Sequence, residues 1–196
     1  MGAVSAGRVR AGPYCGTVRT ELIVLNGGSS SGKTSLARCL QELLPQVWLR
    51  WSIDDFVAAL PASGVHQEAT IAFSADGEVA VGAGFRRAET AWVAGIKAMV
   101  QAGTNVILDD VFLGGSASQE RLRAALFGLQ VLWVGVRCEP DVAVTREARR
   151  GDRIVGMAES QARVVHEGVV YDVEVDTTNK SPVQSAQLVL EVVSLS

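Results

Sequence analysis

The chain has 196 residues, a length that suits one α/β unit with a sizeable core. Hydrophobic residues make up 48% and charged residues 20%, a balance that excludes a disordered chain. The net charge is −3 and no basic stripe is interleaved with aromatic residues, so neither nucleic acid nor an acidic membrane surface has an electrostatic footprint here.

Residues 1–20 carry Arg8, Arg10 and Arg19 but lack the continuous apolar stretch of a secretory signal; they read as a loose extension, with 21–196 as a single domain. Leu22-Ile23-Val24-Leu25 then forms an apolar strand. Gly27-Gly28-Ser29-Ser30-Ser31-Gly32-Lys33-Thr34 follows it and precedes a helix-like stretch from Ser35 to Leu44. Strand, glycine-rich loop and helix in that order are the Walker A phosphate loop. Its glycines let successive N–H groups point at phosphate oxygens, Lys33 reaches the β/γ-phosphates, and the Thr34 hydroxyl is placed to ligate Mg²⁺. The helix adds the partial positive charge of its N-terminus.

Val47 to Trp51 reads as a second strand, leading to Ser52-Ile53-Asp54-Asp55 and a short helix stopped by Pro61. Ile71-Ala72-Phe73 and Glu78 to Val81 flank Ala75-Asp76-Gly77, the signal of a hairpin. From Phe85, Ala88, Trp92, Ile96, Met99 and Val100 recur at helical spacing until Gly103. Asn105 to Leu108 is a buried strand ending in Asp109-Asp110; a helix spans Ser116 to Phe127, and Val131 to Val136 is the fourth main strand. A helix from Pro140 enters the arginine-rich stretch Arg146 to Arg153, another reaches Val165, Tyr171 to Val175 is the fifth main strand, and Pro182 starts the last helix. Near-continuous apolar strands alternating with helices predict a three-layer α/β fold with a five-stranded parallel sheet. In such sheets ligands bind beyond the carboxyl ends of the strands, where all of these motifs fall.

Several side chains there can carry chemistry. Asp109 and Asp110 stand where a Walker B carboxylate holds Mg²⁺; neighbours on a strand face opposite ways, and Asp110 is the first choice. Asp54 either caps the short helix, a task Ser52 or Asp55 could also perform, or accepts the proton of a hydroxyl attacking the γ-phosphate. Arg146, Arg149, Arg150 and Arg153 share one helix side; they form a lid that neutralises a transferring phosphoryl group, or an exposed helix end paired with Glu147 and Asp152. His166 is read as structural. Thr177-Thr178-Asn179-Lys180 lies where a loop passes over a nucleotide base; Pro182 stands where a guanine-reading Asn-Lys-x-Asp signature needs its acid, which disfavours a GTPase switch. The three scattered cysteines, Cys15, Cys39 and Cys138, have no partner at metal-ligand spacing and suit a reducing cytoplasm. No apolar run approaches the roughly 20 residues of a bilayer span.

The chain resembles the chloramphenicol phosphotransferases of antibiotic-producing actinomycetes across about Leu22 to Val175. The likeness rests on Leu25 to Ser30 with Gly32-Lys33, Asp109-Asp110-Val111-Phe112-Leu113-Gly114-Gly115, Leu132 to Cys138, Arg150-Gly151-Asp152-Arg153, Val165-His166-Glu167-Gly168 and Tyr171 to Thr178. It implies a nucleotide-kinase-like fold and transfer of the ATP γ-phosphate, with Mg²⁺, to a hydroxyl of chloramphenicol or a related antibiotic, conferring self-resistance. It places the base on Asp54, the phosphate loop on Gly27 to Thr34 and the lid on Arg150 and Arg153. The segment Ala62 to Gly84, expected to wall the acceptor pocket, matches the family poorly. Trp51, Phe56, Phe73, Trp92 and Phe112 are candidate pocket or core residues. Two other readings stand beside this one: a kinase of another small hydroxylated metabolite such as a nucleoside, sugar or shikimate-like acid, and a nucleotide-gated regulatory module. The expected partner is a small molecule, and the residues leave a homo-oligomer open.

Overall fold

The computed structural model describes residues 19–61, 71–73, 79–150 and 156–193, with backbone alone at 71–73, 79–80 and Arg150. The chain runs through β1 (Leu22–Asn26), α1 (Lys33–Leu43), β2 (Trp48–Ser52), α2 (Ile53–Ala58), β3 (Ile71–Phe73) and β4 (Val79–Val81). It continues through α3 (Ala83–Gln101), β5 (Asn105–Asp110), α4 (Ser116–Ala125), β6 (Val131–Arg137), α5 (Pro140–Arg150), α6 (Met157–Val164), β7 (Val173–Asp176) and α7 (Pro182–Val193).

Five strands form the expected parallel sheet, in the order β2-β5-β1-β6-β7. Its apolar strands are continuous because both faces are covered. Ile23 and Leu25 point to one side with Leu36, Leu40, Ile107, Val134, Val136 and Val189, under α1 and α7. Leu22 and Val24 point to the other with Ile96, Val100, Leu108, Phe112, Leu122 and Trp133, under α3 and α4. β1 lies between β5 and β6, so the chain crosses from one side of the first strand to the other; this switch point opens the crevice above its carboxyl end.

β3 and β4 pair antiparallel, with Ile71 opposite Val81 and Phe73 opposite Val79, as the Asp-Gly signal predicts; the turn lies outside the described residues. The fifth main strand starts at Val173 rather than Tyr171, because the Tyr171 ring turns onto Gly135, where a Cβ would come within 2.8 Å of it. The extension 1–18 also lies outside the described residues. Among the described residues no helix is long and apolar enough to cross a membrane.

Candidate active site

The loop between β1 and α1 is tightly built. A Cβ on Gly27 would stand 2.4 Å from the Val136 carbonyl oxygen, so only glycine lets the chain pass this close to β6. Ser30 takes a left-handed conformation, with φ of 58°, a costly state kept where the backbone is shaped for a ligand. Lys33 is buried and donates to the carbonyls of Gly27 (2.9 Å) and Gly28 (3.0 Å). The hydroxyls of Ser29, Ser30 and Ser31 are buried without a hydrogen-bond partner among the described residues. Unspent donors beside an ammonium group suit a polyphosphate, so the loop fits the phosphates of a nucleotide. Thr177, at the start of the stretch expected to pass over a nucleotide base, braces the loop, donating to the Ser31 carbonyl (2.6 Å).

The pleat separates the two aspartates. In β5, Asp109 stands beside Leu25 and Asp110 beside Asn26, so their side chains leave the sheet on opposite faces. Asp109 is buried on the loop side: its Oδ2 accepts from Thr34 Oγ1 at 2.8 Å and its Oδ1 lies 3.8 Å from Lys33 Nζ. A hydroxyl and a carboxylate oxygen meeting beside a phosphate loop match Mg²⁺, which takes few protein oxygens and completes its shell with phosphates and water. Asp110, the first choice from sequence, sits on the α3 side and accepts from the Val111 N–H (2.7 Å). Burial, with Glu89 and Asp109 nearby, raises its pKa to about 6 against the lowering by the Val111 bond and Lys33. The geometry therefore favours Asp109 as the carboxylate partner of Thr34.

Asp54 and its neighbour divide the two tasks that the spacing left open. Ser52 caps α2, accepting from the Asp55 N–H, and the Asp55 carboxylate returns a bond to the Ser52 N–H (3.0 Å). Capping is thus performed without Asp54, whose side chain lines the cleft above the phosphate loop. That cleft has a volume of about 820 Å³, room for a nucleotide tail and a drug-sized acceptor. Phe85, Trp92, Val93 and Phe112 give it an apolar wall, on which Arg86, Glu89 and Arg121 add charge. Phe56 backs the wall, stacked on Trp92 at 5.1 Å, while Trp51 packs into the core. The Phe73 side chain lies outside the described residues.

The lid arginines are not brought together among the described residues: the Arg150 side chain and Arg153 lie outside them. Arg149 is exposed, and Arg146 turns away to the Thr177 carbonyl (2.8 Å). Glu147, which the exposed-end alternative paired with these arginines, is buried instead. It accepts from the Gly156 N–H (3.0 Å) and the Ala158 N–H (2.9 Å), capping α6 from the end of the preceding helix.

Asn26 and Gln161 were not anticipated. Asn26, buried at the end of β1, accepts from the Phe112 N–H (2.9 Å) and donates to the Val165 carbonyl (2.7 Å) and Tyr171 Oη (2.6 Å). Its position just before the glycines was the available signal. Gln161, on α6, had none, because its contact spans 132 positions of sequence.

His166, read from sequence as structural, has its Nδ1 2.6 Å from Tyr171 Oη. Burial, aided by Arg137, lowers its pKa from about 6.5 to about 4, and burial raises that of Tyr171 to about 12. Since Tyr171 Oη accepts from Asn26, its hydrogen serves the neutral imidazole; a protonated ring would set two donors against one oxygen. The folded state holds His166 neutral where the unfolded chain protonates it, so this contribution is complete above about pH 6.5 and is lost as pH falls towards 4. Urea denaturation at pH 7.5 and pH 4.5 should show a larger acid loss for wild type than for His166→Gln. An equal loss would remove His166 from the acid response.

A parallel sheet with a phosphate loop at its switch point, a carboxylate on the loop's threonine and a second carboxylate across the cleft define a P-loop phosphotransferase. The family model described as chloramphenicol phosphotransferase-like protein matches residues 20–194, and the chain belongs to that family. A Mycobacterium tuberculosis protein named "Putative O-phosphotransferase" is 36% identical over 183 residues, covering 87% of this chain and 81% of its own length. Among solved structures, a Janibacter sugar kinase superposes with a TM-score of 0.65 at 18% identity, over 90% of this chain and 96% of its own. An Acinetobacter baumannii shikimate kinase does so with 0.57 at 17%, over 90% and 94%. These two likenesses concern the fold.

Proposed function

We propose that the chain uses ATP and Mg²⁺ to phosphorylate a hydroxyl of chloramphenicol or a related antibiotic, conferring self-resistance. The observation that carries this reading is that one cleft joins the phosphate loop, Asp54 and an apolar, aromatic wall. Loop amides and Lys33 would hold the phosphates and Thr34 with Asp109 would hold Mg²⁺, while Asp110 lines the same cleft from the other face of β5. The metal supplies neutralisation of the charge on the phosphate oxygens. Asp54 accepts the proton of the acceptor hydroxyl as its oxygen bonds to the γ-phosphorus and ADP departs. Arg150 and Arg153 complete the site as the arginines of the lid.

The apolar wall suits a ring-bearing acceptor, whose buried carbon surface contributes about 25 cal/mol per Å². Arg86, Glu89 and Arg121 favour a second reading, a polar hydroxylated metabolite as acceptor. Pure protein incubated with ATP, Mg²⁺ and chloramphenicol should yield a product one phosphate heavier by mass spectrometry. If the protein binds ATP but leaves the drug unmodified, and a panel of sugars, nucleosides and shikimate-like acids drives ADP release, the second reading replaces the first.

A further inference from the structure

Gln161 is buried to all but 4% of its surface, yet it both touches the phosphate loop and lines the cleft. Its Oε1 accepts from the Ser29 N–H at 2.8 Å. A backbone N–H can only donate, so the oxygen end of this amide is committed to Ser29. The opposite end of the same planar group is an NH₂ with two hydrogens to give, at a residue that lines the cleft. In a cleft whose floor is a phosphate loop, the acceptor that matches is an anionic phosphate oxygen.

The seat of Gln161 is fixed from both ends of α6. Glu147 caps the start of the helix through Gly156 and Ala158, and Asn26 holds the carbonyl of Val165 just beyond its end. Between these ties the helix packs on the loop, the Gln161 Cβ lying 3.4 Å from where a Gly28 side chain would begin. A side chain held on a rigid element, with one end of its amide already bonded, presents the other end in a set direction.

We infer that Gln161 recognises the polyphosphate: its Oε1 docks α6 on the Ser29 amide while its NH₂ group donates to a phosphate oxygen of the bound nucleotide. This rests on the ATP reading above and adds to it a residue beyond the loop. The neutral amide supplies donors beside Lys33 without adding a second cation.

Gln161→Glu separates this role from a purely structural one. The carboxylate keeps an acceptor for the Ser29 N–H, so the helix stays seated, but it replaces the donors with negative charge. By titration calorimetry, Q161E should bind ATP at least tenfold more weakly than wild type, with adenosine binding unchanged and a melting temperature close to that of wild type. ATP affinity equal to wild type in folded Q161E overturns the inference. Gln161→Met serves should the buried carboxylate prevent folding: it should weaken ATP about tenfold and leave adenosine unaffected, and unchanged ATP affinity overturns the inference equally. Wild-type protein that binds no ATP would instead overturn the nucleotide reading beneath it, and this assignment with it.

Discussion

Asp54→Asn should bind ATP as wild type does and transfer almost none of it. The amide keeps the shape of the carboxylate but cannot take up a proton, and general-base catalysis is worth roughly 10²–10⁴-fold, so kcat should fall within that range. ATP affinity should stay within about twofold, because Asp54 lies on α2 while the phosphates are held by the loop. The fold should survive as well: α2 is capped by Ser52 and Asp55, and Asp54 is exposed at the cleft. Acceptor-dependent ADP release, with calorimetry for ATP, measures both halves. Turnover near the wild-type rate would take Asp54 out of the mechanism.

Asn26→Ala should have the largest effect on stability of any single change near the site. It strands the Phe112 N–H and the Val165 carbonyl, each costing about 1–3 kcal/mol when left unsatisfied in the interior, and removes one of the two bonds of the Tyr171 hydroxyl, which keeps His166. A total of about 3–5 kcal/mol allows for partial relaxation, and in a chain of this length it lowers Tm by about 10 °C. Nucleotide affinity should fall with it, since Asn26 joins the end of β1, the chain after Asp110 and the end of α6. Thermal denaturation in the presence and absence of ATP tests this. A Tm within about 2 °C of wild type would show that these groups find other partners.

The fold was legible because its signals are local. The apolar strands, the Gly27 to Thr34 loop and the helical stripes each declare themselves within a short window, and their alternation leaves a parallel sheet as the consistent arrangement. The division of labour at Ser52-Ile53-Asp54-Asp55 was not legible, since three residues could cap α2 and only the reciprocal bonds of Ser52 and Asp55 decide it. The choice between Asp109 and Asp110 depended on the pleat, which follows from register with Leu25 and Asn26 rather than from either residue. Gln161 and Glu147 escaped for a related reason. Both look like ordinary polar positions on exposed helices, and their burial is created by the contact between α6, the end of α5 and the phosphate loop. The departures from expectation therefore lie where elements distant in sequence converge.

Glu147 fastens the end of α5 to the start of α6, so the seat of Gln161 on the phosphate loop is set from a neighbouring helix as well as from its own. A shift of α5 is therefore passed, through one buried carboxylate, to the backbone of the phosphate loop.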